Sequence, residues 1–138
     1  MKWKKVLVTL LIAILIAAGL VLCLYYKKPP DIRKSAARYE TTASALMADF
    51  EKDESTANAK YLDKVIVIEG VISKIDADGG NPAVFLETGN PMASVNCSFY
   101  ETESAALKRL QAGATVKIKG VCTGMLMDIV LNKCSITQ

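Results

Sequence analysis

Four cysteines are the residues with the most varied chemistry in this 138-residue chain: Cys97, Cys122 and Cys134 toward the C-terminus, and Cys23 near the N-terminus. The sequence contains no histidine, which excludes Cys/His zinc sites and any histidine-activated nucleophile. The close CxxC spacing of zinc clamps and thiol redox motifs is also absent. We therefore expect no metal, no cofactor and no catalytic residue, and predict that the protein is not an enzyme.

The pattern around the cysteines indicates a structural role. In the segment VNCSF, Cys97 alternates with Val95 and Phe99, as a small core side chain in a strand would. In an oxidising compartment two such thiols are expected to pair, and the candidate disulfide partners are Cys97, Cys122 and Cys134. The pairing stays open, because a tight final hairpin separates Cys122 from Cys134 by ~13 Å, beyond the ~7 Å limit between Cα atoms.

A second group of ligand-type residues lies in DADGGNPAVFLE. Asp76, Asp78 and Glu87 match the first, third and last positions of a calcium-binding loop. Gly80 and Asn81 occupy the fifth and sixth positions, where the motif requires an oxygen ligand and a glycine. The residues on both sides of the segment are typical of strands, whereas helices flank a calcium-binding loop. The segment is therefore predicted to be a hairpin turn.

The elements that position these residues are mostly strands. Alternating apolar residues predict five of them, over residues 64–75, 83–88, 92–99, 115–124 and 128–136. A short helix is predicted within residues 101–113, between the third and fourth strands. This order, with Gly70 in the middle of a long first strand, predicts a mainly β protein with the OB-fold, a five-stranded Greek-key barrel. The alternative is a five-stranded sandwich of another topology, but such a fold does not require a helix between the third and fourth strands.

Period-two alternation also predicts the residues that fill the barrel. The predicted core comprises Val65 or Ile66, Ile68, Ile72, Val84, Leu86, Val95, Cys97, Phe99, Val116, Ile118, Cys122 and Leu131, with Leu107 and Leu110 closing one end. Lys117 and Lys119 then belong to the opposite, solvent-facing side of their strand.

The N-terminal part has a different composition. A basic flank at residues 1–5 precedes an uncharged apolar run at residues 6–26, long enough to cross the ~30 Å core of a bilayer as a helix. A cleaved signal peptide has an apolar run of only ~7–15 residues and a small-x-small site, so we predict a retained signal anchor. The basic residues at both ends leave the membrane orientation open.

A polar spacer is predicted over residues 27–44, followed by a folded domain over residues 45–138. The domain begins with a short helix whose apolar stripe contains Leu46, Met47 and Phe50, with a break near residues 53–55. Charge is divided at the same boundary. The chain through Ser44 contains eight basic and two acidic residues, whereas the chain from Ala45 onward contains nine basic and twelve acidic residues.

Three stretches carry a family resemblance: ADFEKDESTANAKYLDKVIVIEGVIS, MASVNCSF and GVCTGMLMDIVLNKC. Together they resemble the tRNA-anti-like family of OB-fold proteins over residues 48–136. That family consists of small bacterial envelope proteins, commonly with an N-terminal membrane or signal segment. The resemblance implies a single-pass protein of the bacterial inner membrane with its C-terminal domain outside the cytoplasm, and it implies no catalytic residues.

OB barrels commonly bind ligands on their second and third strands and the adjoining loops. The residues predicted for that face are Phe85, Met92, Ser94, Asn96, Ser98, Met125 and Met127. A phosphate-binding groove needs several lysines or arginines among stacking aromatics, and this set contains one aromatic and no basic residue. We therefore expect a membrane-anchored binding or interaction module of the cell envelope, whose partner is a protein or a small ligand. The alternative is a single-stranded nucleic-acid-binding domain that faces the cytoplasm.

Overall fold

The computed structural model describes residues 1–27 and 31–137, in two compact units, residues 1–30 and 31–138. In the first unit, helix α1 (Lys2–Tyr25) has 24 residues and buries none of them. Its mean hydropathy reaches 3.1, and at 1.5 Å per residue it is ~36 Å long. Helix α1 is therefore long and apolar enough to cross a bilayer. Residues 28–30 of the predicted spacer lie outside the described residues.

The second unit contains a closed barrel of five strands. They are β2 (Val65–Asp76), β3 (Ala83–Leu86), β4 (Val95–Phe99), β5 (Thr115–Met125) and β6 (Ile129–Thr137). β2 pairs antiparallel with both β3 and β5, β3 pairs antiparallel with β4, β4 pairs parallel with β6, and β6 pairs antiparallel with β5. A 3₁₀ turn (Glu101–Glu103) and helix α4 (Ser104–Leu107) connect β4 to β5. The predicted OB-fold barrel is confirmed.

Residues 31–42, here called the strap, are folded against the barrel. They contain a 3₁₀ helix (Ile32–Lys34) and a short strand, β1 (Tyr39–Thr42), which pairs parallel with residues 66–69 of β2. Ile32 is only 4% exposed, and the Lys119 ammonium donates a hydrogen bond to the Arg33 carbonyl at 3.2 Å. The folded unit thus begins at Asp31, inside the segment predicted as a polar spacer. Main-chain pairing places this polar strand on the sheet with little need of apolar side chains.

Two helices follow the strap: α2 (Ala43–Lys52) and α3 (Glu54–Tyr61). Thr42 caps the first, since its hydroxyl oxygen accepts a hydrogen bond from the Ala45 amide at 3.1 Å. Asp53 ends α2 and caps α3, with its carboxylate accepting from the Thr56 amide at 3.1 Å. This double role of Asp53 explains the break that the sequence predicts at residues 53–55.

The core follows the predicted alternation in all but one strand. Of the predicted set, Ile66, Ile68, Ile72, Val84, Leu86, Val95, Cys97, Phe99, Leu107, Ile118, Cys122 and Leu131 are buried, while Leu110 and Val116 are half-buried against them. Cys134 is fully buried as well, although strict alternation from Leu131 predicts that its side chain points outward. The irregular pairing of β6 around Lys133, whose φ is 54°, adds one residue and reverses the alternation.

Two glycines in the strands mark close approaches. A Cβ on Gly70 would lie 3.0 Å from the Cβ of Ala43, at the first turn of α2. A Cβ on Gly120 would lie 2.5 Å from the sulfur of Cys134. Gly120 therefore makes room for a buried thiol, and Gly70 lets a helix pack directly on β2.

Candidate binding face and groove

The three C-terminal cysteines are free thiols in the barrel core. Leu131 on β6 pairs with Cys97 on β4 and with Cys122 on β5, so two strand spacings, ~9–10 Å, separate these two cysteines. Cys134 lies three residues beyond Leu131, ~10 Å along the strand from the level of Cys122. Both pairs exceed the ~7 Å between Cα atoms that a disulfide permits.

Cys97 and Cys134 are the two thiols that contact each other, on neighbouring strands whose irregular register pairs Cys134 with Phe99. Burial, together with the contact with Cys97, raises the pKa of Cys134 well above its usual value. Burial also raises the pKa of Cys122. The raised pKa of these two thiols disfavours the reactive thiolate form, and both side chains are buried in the core.

The predicted calcium-type residues are separated by the fold. Asp76 ends β2 and pairs with Ala83 at the start of β3, whereas Glu87 follows the other end of β3, ~13 Å away at 3.3 Å per residue. Asp78 forms an ion pair with Lys108 at 3.3 Å. Within residues 1–27 and 31–137, no group of three or more acidic or cysteine side chains is placed to hold a metal ion.

Three residues of the predicted ligand face lie together on the outside of β3 and β4. Phe85 pairs with Asn96, and Ser98 pairs with Ala83; all three outward side chains are half-buried. Lys74 of β2, which was not predicted for this face, pairs with Phe85 and places its ammonium 5.6 Å from the ring centroid. The Oδ1 atom of Asn96 is enclosed and accepts no hydrogen bond from the residues that the structure describes.

The remaining predicted residues lie at one end of this face. Met92 and Met127 are 84% and 79% exposed, on loops that hydrogen bonds join: Asp128 accepts from both the amide and the hydroxyl of Ser94, at 2.7 and 3.0 Å. Met125 is instead half-buried against the core. Leu126, 92% exposed, was missed in the sequence analysis, although its place between two methionines in a turn is a signal for an exposed apolar loop.

Beside these loops is an open cavity of ≈ 470 Å³, here called the Glu87 groove. It is lined by Ser73, the segment 87–94 and Asp128. Met92, Pro91 and Ala93 supply an apolar wall, and Glu87 and Asp128 supply carboxylates. Of this lining, Met92 and Ser94 were predicted from the sequence, whereas the groove itself was not.

The segment that forms the groove is held in place by its own hydrogen bonds. The buried Thr88 hydroxyl donates to the Ala93 carbonyl at 2.6 Å and accepts from the Asn90 amide at 3.2 Å. The Asn90 side chain accepts from the Met92 amide at 2.9 Å and donates to Glu51 on α2 at 2.6 Å. The groove is therefore shaped in advance, which reduces the entropy that a ligand would lose on binding.

The surroundings of the groove are acidic. Two further cavities, ≈ 410 and ≈ 510 Å³, adjoin the turn at residues 87–90, and Glu51, Glu69 and Glu87 are among their lining residues. No lysine or arginine lines any of the three cavities within the described part of the chain. Lys74 of β2 thus lies beside the ring of Phe85 on β3, whereas the charged residues that line the groove are Glu87 and Asp128.

The barrel topology, with an outer face on β3 and β4 at the position where such barrels bind ligands, defines an OB-fold protein. More specifically, the chain belongs to the tRNA_anti-like family, whose model matches residues 1–136; the match includes the apolar N-terminal helix. Among curated proteins, none matches this chain significantly.

Solved structures agree on the fold. A Klebsiella pneumoniae lipoprotein, provisionally assigned as nucleic acid-binding, is 20% identical with a TM-score of 0.58, and the match covers 80% of this chain and 100% of the lipoprotein. A Leishmania major protein, provisionally assigned as an aspartyl-tRNA synthetase, is 13% identical with a TM-score of 0.50; the match covers 87% of this chain but only 26% of the other. At these identities the likeness concerns the fold.

Proposed function

We propose that this protein is a membrane-anchored binding module of the bacterial cell envelope, without enzymatic activity. The observation that carries the proposal is the exposure of Met92, Leu126 and Met127 on two hydrogen-bonded loops beside a preformed groove. In the folded unit, Leu62 is the other described large apolar residue with high exposure. Apolar side chains clustered beside a groove are typical of an interaction site.

The anchor is part of the proposal. Helix α1 meets the length and hydropathy requirements for a membrane span, and the family match includes it. The structurally similar Klebsiella protein is a lipoprotein, which supports attachment to a membrane for proteins of this type. We place the barrel on the extracytoplasmic side.

A binding role without catalysis agrees with the chemistry of the side chains. The chain has no histidine, the three barrel thiols are enclosed in the core, and burial raises the pKa of Cys122 and Cys134. The carboxylates of the groove, Glu87 and Asp128, lie on separate loops, and Asp128 already accepts two hydrogen bonds from Ser94.

Single-stranded nucleic acid is the second candidate ligand. It is favoured by Lys74 beside Phe85 on the outer face, since a cation next to a stacking ring is the basic unit of such sites. One lysine and one ring give little affinity for a phosphate backbone, and the acidic groove next to them opposes it.

An oligonucleotide titration separates these functions. The full-length protein in phosphatidylcholine nanodiscs would be titrated with fluorescein-labelled oligo(dT) at 50 and 150 mM salt, and binding followed by fluorescence anisotropy. We expect no binding tighter than ~10⁻⁴ M at 150 mM salt, the weak end of non-specific interaction. Tight binding that is lost in Lys74→Ala and Phe85→Ala, but kept in the exposed control Lys64→Ala, would replace our proposal with the second candidate.

Membrane topology is tested separately with reporters fused after Gln138. We expect an alkaline phosphatase fusion to be active and a green fluorescent protein fusion exported through the same route to be dark. The opposite pattern would place the barrel in the cytoplasm and contradict the envelope role.

A further inference from the structure

The Glu87 groove is a site whose charge and shape select for a particular class of partner. Its volume of ≈ 470 Å³ is within the range of pockets that hold ligands, ~300–1,000 Å³. Its wall is fixed by the hydrogen bonds of Thr88 and Asn90, so the site exists before any partner arrives.

The carboxylate of Glu87 is available to a ligand. Glu87 is exposed and forms no ion pair or side-chain hydrogen bond with the other described residues. In Asp128, the Oδ1 atom accepts both hydrogen bonds from Ser94, whereas Oδ2 has no hydrogen-bond or ion-pair partner within the described part of the chain. Two carboxylates therefore present unpaired oxygens to one cavity.

The apolar side of the groove is equally accessible. Met92 lines the cavity, and the turn that carries Leu126 and Met127 leads directly into Asp128, which also lines it. A ligand that lies in the groove thus meets carboxylates and apolar side chains within one short span. Anionic ligands are disfavoured, because no basic residue lines this cavity or its two neighbours among the described residues.

We propose that the Glu87 groove binds an extended segment of a partner protein in which a lysine or arginine lies next to apolar residues. The basic side chain pairs with Glu87 and Asp128, and the apolar neighbours contact Met92, Leu126 and Met127. Charge complementarity sets the specificity of this contact, and the flexible methionine side chains adapt to the partner surface. Because it names a partner for the proposed binding module, this assignment rests on that function.

The test uses two labelled nine-residue peptides that alternate a charged residue with valine: one with lysine and one with glutamate. Binding to the full-length protein in phosphatidylcholine nanodiscs is measured by fluorescence anisotropy, with empty nanodiscs subtracted. We expect the lysine peptide to bind at least tenfold more tightly than the glutamate peptide. Glu87→Lys should weaken its binding at least fivefold, and the same charge change at the exposed Glu101, outside the groove lining, should alter it less than twofold.

Three outcomes would overturn the assignment: equal binding of the two peptides, equal effects of Glu87→Lys and Glu101→Lys, or no binding of the lysine peptide. Matching thermal melts of the two variants would show that each retains the fold. The oligo(dT) titration keeps the two proposals apart. If neither peptide nor oligonucleotide binds, only the choice of partner is wrong, whereas tight oligonucleotide binding removes the proposed function as well.

Discussion

The two ends of the β5–β6 hairpin pair with different strands, β2 at the end away from the turn and β4 on the turn side, and they also differ in chemistry. At the end near Lys119 and Ser135, which pair with each other, the strap covers the strands: Ile32 is buried, and Lys119 bonds to the main chain of Arg33. At the other end, the turn that follows Met125 leaves Leu126 and Met127 in solvent. The chain thus covers one end of the barrel with its own residues and leaves apolar groups exposed at the other.

From this difference we expect stability and binding to depend on different ends of the hairpin. The covered end has buried apolar surface and ion pairs within the chain, such as Lys117 with Glu40 at 3.0 Å and with Glu69 at 3.7 Å. The exposed end has a preformed groove in which the Glu87 carboxylate forms no ion pair or side-chain hydrogen bond with the other described residues. Substitutions at the covered end should therefore affect folding, and those at the exposed end should affect binding alone.

The largest effect is expected on the core face of β5, where the barrel is most tightly enclosed. Ile118 is fully buried, so Ile118→Asp places an unpaired charge in an apolar barrel at a cost of several kcal/mol, against a typical total of ~5–15. We expect this variant to lack a cooperative thermal transition in circular dichroism. Lys117→Ser, one residue away on the opposite face, should keep the transition; a similar loss in both variants would contradict the strand assignment.

Much of this architecture could be predicted from the sequence, because each barrel strand must turn one face inward. That rule identifies Ile118, Cys97 and Leu131 as core residues without any knowledge of the fold. It does not identify Cys134, whose direction depends on the irregularity at Lys133. Side-chain alternation also does not predict the strap, because β1 joins the sheet through main-chain pairing with β2.

The candidate site was predictable only in part, for a related reason. Alternation placed Phe85, Asn96 and Ser98 on an outer face. The groove depends on Asn90 bonding to Glu51, 39 positions away, and on Ser94 bonding to Asp128, 34 positions away. Contacts of that range leave no local pattern in the sequence.

A matched pair of truncations compares the two ends directly. Ile32→Ala removes a buried side chain at the covered end and should cost about 2 kcal/mol, the lower part of the range for such changes. Leu126→Ala removes an exposed side chain of the same size and should change stability by less than ~0.5 kcal/mol. Urea unfolding of the full-length protein in detergent micelles measures both. Equal losses would mean that the turn at Leu126 is covered in solution.

A comparable or smaller effect should follow from the close approach of Gly120 and Cys134. Gly120→Ala puts a methyl group 2.5 Å from the Cys134 sulfur, and overpacking of this kind costs ~1–3 kcal/mol. Cys134→Ala removes that sulfur, so the double variant should be more stable than Gly120→Ala alone. The coupling free energy from a double-mutant cycle measures the contact. Strictly additive effects would show that the thiol does not occupy the space above Gly120.

The smallest effect is expected where the helices meet the strap, and it depends on pH. Asp49 accepts a hydrogen bond from the Tyr61 hydroxyl at 2.6 Å and a second from the Lys60 ammonium at 3.2 Å. These two contacts, the tyrosine bond first, lower the pKa of the Asp49 carboxyl. The Lys60 ammonium also lies 5.7 Å from the ring centroid of Tyr39 in β1, so the cluster joins α2 and α3 to the strap.

A carboxyl whose pKa is lower in the folded state stabilises the fold above its unfolded pKa of ~3.9, and this contribution is lost as the pH falls through the folded value. Asp49→Asn should therefore lower stability by the same amount at pH 7 and pH 5, by less than ~1 kcal/mol because the pair is half-exposed. At pH 3 the difference from the wild type should shrink, whereas the exposed control Asp78→Asn should show little difference at any of these values. Thermal melts of the wild type and both variants at the three pH values measure these differences. If the difference between Asp49→Asn and the wild type persists or grows at pH 3, the Asp49 carboxylate does not stabilise the contact between the helices and the strap.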